Sequence, residues 1–285
     1  MKFLAIKELL MIMKEYVIDQ PIYEKKQSLQ PFALTDVLIE TVSQEGGHLL
    51  HFWQLADTMI LGMKDTRVTN LSAGLEALTK ADYLPVVRNS GGLGVISDEG
   101  VLNVSLILPI EENGVKQSID AGYERMLMLV RDAFQNEKID AYEIADSYCP
   151  GTYDLSIDGK KFAGIAQRRV KNGLSVMMYL SVTGDQQARG NAVRNFYQAS
   201  LEEQFGLDGY PPVNPESMMN LPDLLHQTMT VEEVKIRLVT AFEKQYGAVE
   251  WIDSQKFIKE TNQQASFEKH LSKMMKRNEL LKESQ

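Results

Sequence analysis

Apolar positions along this chain alternate between helical and strand spacing, and the alternation lays out most of the elements. PFALTDVLIETVSQEGG (31–47) repeats its apolar residues at three and four, then stops at Gly46-Gly47, which predicts a helix with a glycine end. HLLHFWQLADTMILGM (48–63) is apolar and β-prone and predicts strands. NLSAGLEALTKADY (70–83) predicts a short helix capped by Asn70 or Ser72. Pro85-Val86-Val87 and Val101–Ile110 predict strands on either side of a glycine-containing turn. SIDAGYERMLMLVRDAFQNEK (118–138) predicts a helix with Ser118 as N-cap and a buried face of Ile119, Tyr123, Met126, Val130 and Phe134.

A meander follows. YDLSI (153–157) alternates apolar and polar residues, and Asp158-Gly159 is a hairpin turn signal. KKFAGIAQRRV continues as a second strand, Asn172-Gly173 turns again, and LSVMMYLSV (174–182) predicts a third. Beyond residue 184 the spacing is helical, within 186–206 and again after Thr230, which stands in capping-box spacing with Glu233. PPVNPESMMNLP (211–222), with its prolines, reads as a linker, and the charged end (251–285) as a helical tail. In MKFLAIKELLMIMKEYVIDQ, Leu4, Leu9, Leu10 and Met13 recur at helical spacing, with Met11 or Met13 an alternative start. The expected organisation is a helical segment over 1–30, one catalytic-size domain over 31–250 and the tail over 251–285, in the α+β class: a mixed or antiparallel sheet with packed helices.

Composition narrows the function. The formal net charge of −9 over 285 residues disfavours a general nucleic-acid binder, whose phosphate contacts need Lys and Arg. Lys7, Glu8, Lys14 and Glu15 interrupt the N-terminal apolar run, so it is not read as a secretory signal, and no run reaches the length of a membrane span. With a single cysteine the chain forms no internal disulfide, which suits the cytoplasm.

That cysteine, Cys149, precedes the meander in a loop, and Lys161 begins the second strand. A free cysteine is commonly a small buried hydrophobe, and a strand-end lysine is commonly solvated. The alternative is a nucleophile: the Asp158-Gly159 hairpin folds the Lys161 strand back toward the Cys149 loop, and a nearby ammonium favours thiolate. RNSGGLGV (88–95) reads either as an ordinary glycine turn or as backbone that a substrate approaches closely or that offers N–H groups to an oxyanion. It lacks the Gly-Lys-Ser/Thr ending of a phosphate loop. His48 and His51, three apart in a β-prone run, face opposite ways, and no metal site is expected.

VVRNSGGLGVISDEGVLNVSLILP together with DGKKFAGIAQRR resembles the lipoate–protein ligase, octanoyltransferase and biotin ligase superfamily. The first is similar to its arginine–glycine segment and Asn-containing strand, the second to its Gly-Lys-Lys-x-x-Gly segment, whose second lysine carries over to Lys161. The resemblance covers residues 30–250 and implies that superfamily's catalytic-domain fold. Against the ligases' Arg-Arg-x-x-Gly-Gly-Gly-x-Val-x-His-Asp, Arg88 is kept, Asn89 replaces the second arginine, Leu93 the third glycine, and Ser97-Asp98 the His-Asp pair. Those departures, and the cysteine in DSYCPGTYDLSI, resemble the cysteine-dependent branch, and within it the amidotransferases.

The resemblance implies an ATP-independent acyltransferase. Cys149 would take octanoyl from the octanoyl-lysine of the glycine-cleavage H protein as a thioester, and a lysine of a 2-oxoacid dehydrogenase lipoyl domain would then receive it. Lys161 would favour the thiolate or orient the acyl carbonyl. Arg88, Asn89, Ser90, Gly91, Gly92 and Gly94 would shape the acyl site, with backbone N–H groups around Cys149 or Gly164 stabilising the oxyanion. Arg168, Arg169 and Lys171 would form a basic docking surface for an acidic lipoyl domain. No cofactor, nucleic acid or membrane is implied. The rivals are an acyl-carrier-protein-dependent octanoyltransferase, an ATP-dependent lipoate ligase and a silent scaffold for acylated lipoyl domains.

Overall fold

The computed structural model describes residues 15–283 apart from Asn113 and Glu137. The four apolar residues behind the N-terminal helix expectation lie outside the described residues. The first element seen is a strand, β1 (Glu15–Asp19), where the 1–30 segment had been read as helical.

The remaining strands are β2 (Leu49–Trp53), β3 (Thr58–Leu61), β4 (Leu84–Val87), β5 (Val95–Ser97), β6 (Val101–Pro109), β7 (Glu111–Glu112), β8 (Val115–Lys116), β9 (Asp140–Ala141), β10 (Leu155–Ile157), β11 (Lys160–Val170), β12 (Gly173–Ser181) and β13 (Val249–Ile252). The helices are α1 (Gln30–Glu45), α2 (Leu71–Lys80), α3 (Ile119–Phe134), α4 (Gln186–Leu201), α5 (Leu221–Leu224), α6 (Val231–Tyr246), α7 (Ser254–Glu260) and α8 (Gln264–Glu283). The large sheet runs β13-β1-β2-β6-β12-β11-β10-β9; its first three strands are parallel and the rest antiparallel. A smaller sheet runs β4-β3-β5. This is the expected α+β architecture.

Strand alternation assigns the faces. Leu102, Val104, Leu106 and Leu108 of β6 pack with Met126 and Val130 of α3 and Leu238 and Phe242 of α6. Ile107, between them, packs with Leu34 and Leu38 of α1. At the start of the same strand, Val101 belongs instead to a third cluster with the small sheet, Phe196 and Tyr197 of α4, and Tyr148. Each fully buried side chain of this kind contributes about 1.5–3 kcal/mol. The junction of the third cluster with the meander is where the site forms.

The caps follow the sequence reading. Asn70, Ser118 and Thr230 each accept the expected backbone N–H, and the Thr230–Glu233 capping box is complete. Three expectations need correction. Ile119 is 59% exposed: it is the first residue of α3, and its side chain stays in solvent while Met126, Val130 and Phe134 further along the face are buried. The helix expected over 118–138 ends early, at Phe134 with Gln135 left-handed, whereas the one expected within 186–206 is α4. The proline segment is no loose linker: Val213, Pro215, Ser217 and Met218 are buried, and Met219 N–H donates to the Lys161 carbonyl at 2.9 Å. The C-terminal segment likewise joins the body, with β13 beside β1 and α8 against α1.

Candidate active site

Cys149 sits between Tyr148 and Pro150, after β9 and before β10, with its backbone in the left-handed region at φ +49°. A non-glycine residue holds that conformation only where its surroundings fix it. Two donors meet its sulfur. The Leu93 N–H lies 3.1 Å from Sγ, and Arg88 Nη2 lies 3.6 Å away. Arg88 Nη2 also donates to the Leu93 carbonyl at 2.9 Å, so the guanidinium closes the glycine loop on itself. A guanidinium and a backbone N–H are both groups that an anionic sulfur accepts from.

Lys161 is placed differently from the expectation. The hairpin register, Ser156 opposite Lys161, does bring it to the Cys149 loop. Its ammonium, however, donates to Ser147 Oγ at 3.1 Å and to the Tyr148 and Cys149 carbonyls at 2.9 Å each. It also pairs with Asp154 Oδ1 at 2.9 Å, and both side chains are buried. Sγ is not among its partners, and Lys161 does not line the pocket beside the sulfur. The physical reason is Asp154, whose carboxylate holds the ammonium on the backbone side of the loop. Burial pushes the Asp154 carboxyl above its ordinary range; Lys161 and the Gly151 and Ile144 N–H groups pull against that.

A pocket of about 300 Å³ opens at Cys149. Phe32, Trp53, Ile60, Val95, Met178 and Tyr179 give it an apolar wall, and Arg88, Ser90, Gly91, Gly92 and Gly164 also line it. Asn89 and Gly94 do not. Asn89 turns its amide to Asp36 at 3.0 Å, and Gly94 donates its N–H to the Tyr197 hydroxyl at 3.1 Å. Gly92 has to be glycine: its φ is +97°, and a Cβ there would stand 2.2 Å from Arg88 Nη2 and 3.0 Å from Sγ.

The loop is braced from three sides. The Tyr197 hydroxyl donates to Asp65 Oδ1 at 2.7 Å, and Asp65 also accepts the Gly62 N–H at 2.7 Å. Burial raises the Asp65 carboxyl to about 6. Asn278 of α8 takes the Val87 N–H at 2.7 Å and donates to the Val87 carbonyl at 3.1 Å, pairing the outer edge of β4. On the far side of Arg88, Arg168 donates to the Asn89 carbonyl at 2.8 Å and pairs with Asp36. Burial opposes ionisation of Asp36, but His270 and Arg168 hold its carboxyl below the usual range.

Arg168 and Arg169 are therefore engaged inside the protein; Arg169 donates to the Gln117 and Ser118 carbonyls. Of the three residues expected to form a docking surface, Lys171 alone is exposed. His48 pairs with Glu15 and Glu112, whereas His51 is buried against Gln20 and kept neutral, its imidazole pushed down to about 3 by burial. Among the described residues no cluster of three His, Cys, Asp or Glu side chains is arranged to hold a metal, and no helix is long and apolar enough to cross a membrane.

Sequence reasoning pointed to backbone N–H groups within 88–95, where Leu93 lies, but missed Asp154, Asp65 and Asn278. Asp154 carried a signal, since it stands just outside the hairpin that brings Lys161 back. The others depend on residues distant in sequence.

Residues 27–243 match the family model described as the lipoyl protein ligase A/B catalytic domain. A relative from Exiguobacterium sibiricum, called octanoyl-[GcvH]:protein N-octanoyltransferase, is 47% identical over 73% of this chain and 76% of its own. One of the same description from Bacillus velezensis is 40% identical over 95% and 94%. A Listeria monocytogenes relative called lipoyl-[GcvH]:protein N-lipoyltransferase is 41% identical over 77% and 80%. Among solved structures, a bipartite lipoate protein ligase of Thermoplasma acidophilum, described with its E2 lipoyl domain, shares the fold at TM-score 0.64 and 18% identity, over 92% of each chain. By its catalytic-domain match and these relatives, the chain belongs to the lipoyl protein ligase A/B family.

Proposed function

We propose that the protein is an ATP-independent cytoplasmic amidotransferase that moves octanoyl from the octanoyl-lysine of the glycine-cleavage H protein to a lipoyl-domain lysine of 2-oxoacid dehydrogenases. The transfer runs through a thioester on Cys149. One observation carries this reading: the only cysteine of the chain meets a guanidinium and a backbone N–H at an apolar pocket. The names of the relatives support the donor and the acyl group.

The Cys149 thiolate attacks the amide carbonyl, the donor lysine leaves, and octanoyl remains on sulfur. An acceptor lysine then attacks the thioester. Going from amide to thioester is uphill and the return is downhill, so exchanging one lysine amide for another is close to neutral and needs no adenylate. Sulfur suits the intermediate because the second step needs a good leaving group. The apolar wall excludes water from the thioester and fits an alkyl chain. Lys161 and Asp154 position the Cys149 backbone from behind.

Octanoylated H protein, apo lipoyl domain and this protein, mixed without ATP and followed by intact mass, test the proposal. Octanoyl should move from donor to acceptor. Transfer only from octanoyl-carrier protein would select the carrier-protein enzyme, and a requirement for ATP the ligase. The Listeria relative supports lipoyl as a second cargo, tested by lipoylated H protein in the same assay.

A further inference from the structure

The reaction needs a cation at the sulfur, and the expected one, Lys161, has Asp154 and three oxygen acceptors in the Cys149 loop instead. Arg88 is the cation in contact with Sγ. It leaves β4 where Asn278 pairs the backbone of Val87, and Arg168 holds the carbonyl of Asn89. The residue is thus clamped on both sides, and its side chain is aimed at the cysteine rather than at solvent. It is 8% exposed, and it lines the acyl pocket.

We propose that Arg88 is a catalytic residue: with the Leu93 N–H it stabilises the Cys149 thiolate, and then the oxyanion that forms as the sulfur adds to the acyl carbonyl. This rests on the thioester route above and names the group that stabilises its charge. In the acylation step a sulfur lone pair forms the S–C bond and the carbonyl π pair moves to oxygen. Negative charge thereby shifts from Sγ to an oxygen on the adjacent carbon. The guanidinium serves both places: Nη2 lies 3.6 Å from the sulfur at the pocket wall, and the oxygen forms on the carbon bonded to that sulfur, within reach of the same donor. Collapse re-forms C=O and breaks the C–N bond. The departing nitrogen takes one proton from water, equal to the proton the thiol released on ionising, so protons balance. Deacylation by the acceptor amine passes through the same oxyanion in reverse.

The test uses the full chain with Arg88→Lys and Arg88→Gln. Three readouts are taken: Cys149 alkylation by iodoacetamide at neutral pH, acylation by p-nitrophenyl octanoate, and octanoyl transfer from H protein. Arg88→Gln should slow acylation by about 10²–10³-fold, the usual effect of one oxyanion donor. It should also slow alkylation, whereas Arg88→Lys, which keeps the charge, should recover part of the alkylation rate and less of the acylation rate. Circular dichroism and Cys149-independent thermal unfolding identify a variant that has merely lost its fold, and Arg88→Lys then carries the comparison. Acylation and alkylation within twofold of the native rates in Arg88→Gln would overturn the proposal. If the ester acylates Cys149 in an Arg88-dependent way while H protein donates nothing, the donor assignment fails and the role of Arg88 stands.

Discussion

Lys161 and Asp154 form a buried ion pair at 2.9 Å directly behind the Cys149 loop, and the same ammonium donates to the carbonyl of Cys149. The arrangement ties the hairpin to the loop and leaves the pocket side of the sulfur to Arg88 and Leu93. It also makes the lysine's removal a structural event. Asp154→Asn leaves a buried ammonium short of its counter-charge and should destabilise the protein by about 3–5 kcal/mol in urea unfolding. The Asp154→Leu, Lys161→Met double variant should lose less than the two single changes together. Additive losses would show that the two side chains act independently.

Gly92→Ala should disturb the site directly at the sulfur. The added carbon meets Arg88 Nη2 and the sulfur, at a φ that side chains rarely adopt. Octanoyl transfer should fall at least about 10²-fold, since small misplacements of reacting groups have effects of that size. Gly91→Ala, with open space around its Cβ, is the control and should keep most activity in the same assay.

Asp65 gives the fold a definite pH dependence. Its carboxyl is raised from 3.8 to about 6 by burial, so the folded state binds the proton more tightly than the unfolded chain. The charged form therefore costs stability, absent below about pH 4 and complete above about pH 6, of up to about 3 kcal/mol. Asp65→Asn should gain on the native protein by about that amount between pH 4 and pH 8, measured by urea unfolding at each pH. A stability difference that does not change with pH would contradict it.

Asn278→Ala unpairs both backbone groups of Val87 on the outer edge of β4. Each lost partner costs about 1–3 kcal/mol where water does not replace it. Hydrogen exchange at Val87 should accelerate, and octanoyl transfer should fall because Arg88 is the next residue. Unchanged exchange at Val87 would show that α8 does not brace the loop.

The elements with strong local patterns were legible in the sequence. The three strands of the meander, the capping residues Asn70, Ser118 and Thr230, and the sheet-and-helix class follow from periodicity and turn chemistry alone. Cys149 and Lys161 were legible as a pair because a short hairpin joins them. The partner of each was not. Asp154 looked like one polar position of an alternating strand, and Arg88 reaches the sulfur only because β3, β4 and β5 form a separate small sheet across the pocket from the meander. The proline segment misled because its prolines suit a linker, while burial of Val213 and Met218 is a tertiary fact.

The central claim is that Cys149 carries the octanoyl group. Intact mass spectrometry of this protein incubated with octanoylated H protein, without ATP, measures it directly. The covalent route predicts a single octanoyl adduct that maps to Cys149, is absent in Cys149→Ser and disappears when apo lipoyl domain is added. Transfer to the lipoyl domain that continues undiminished in Cys149→Ser would contradict it.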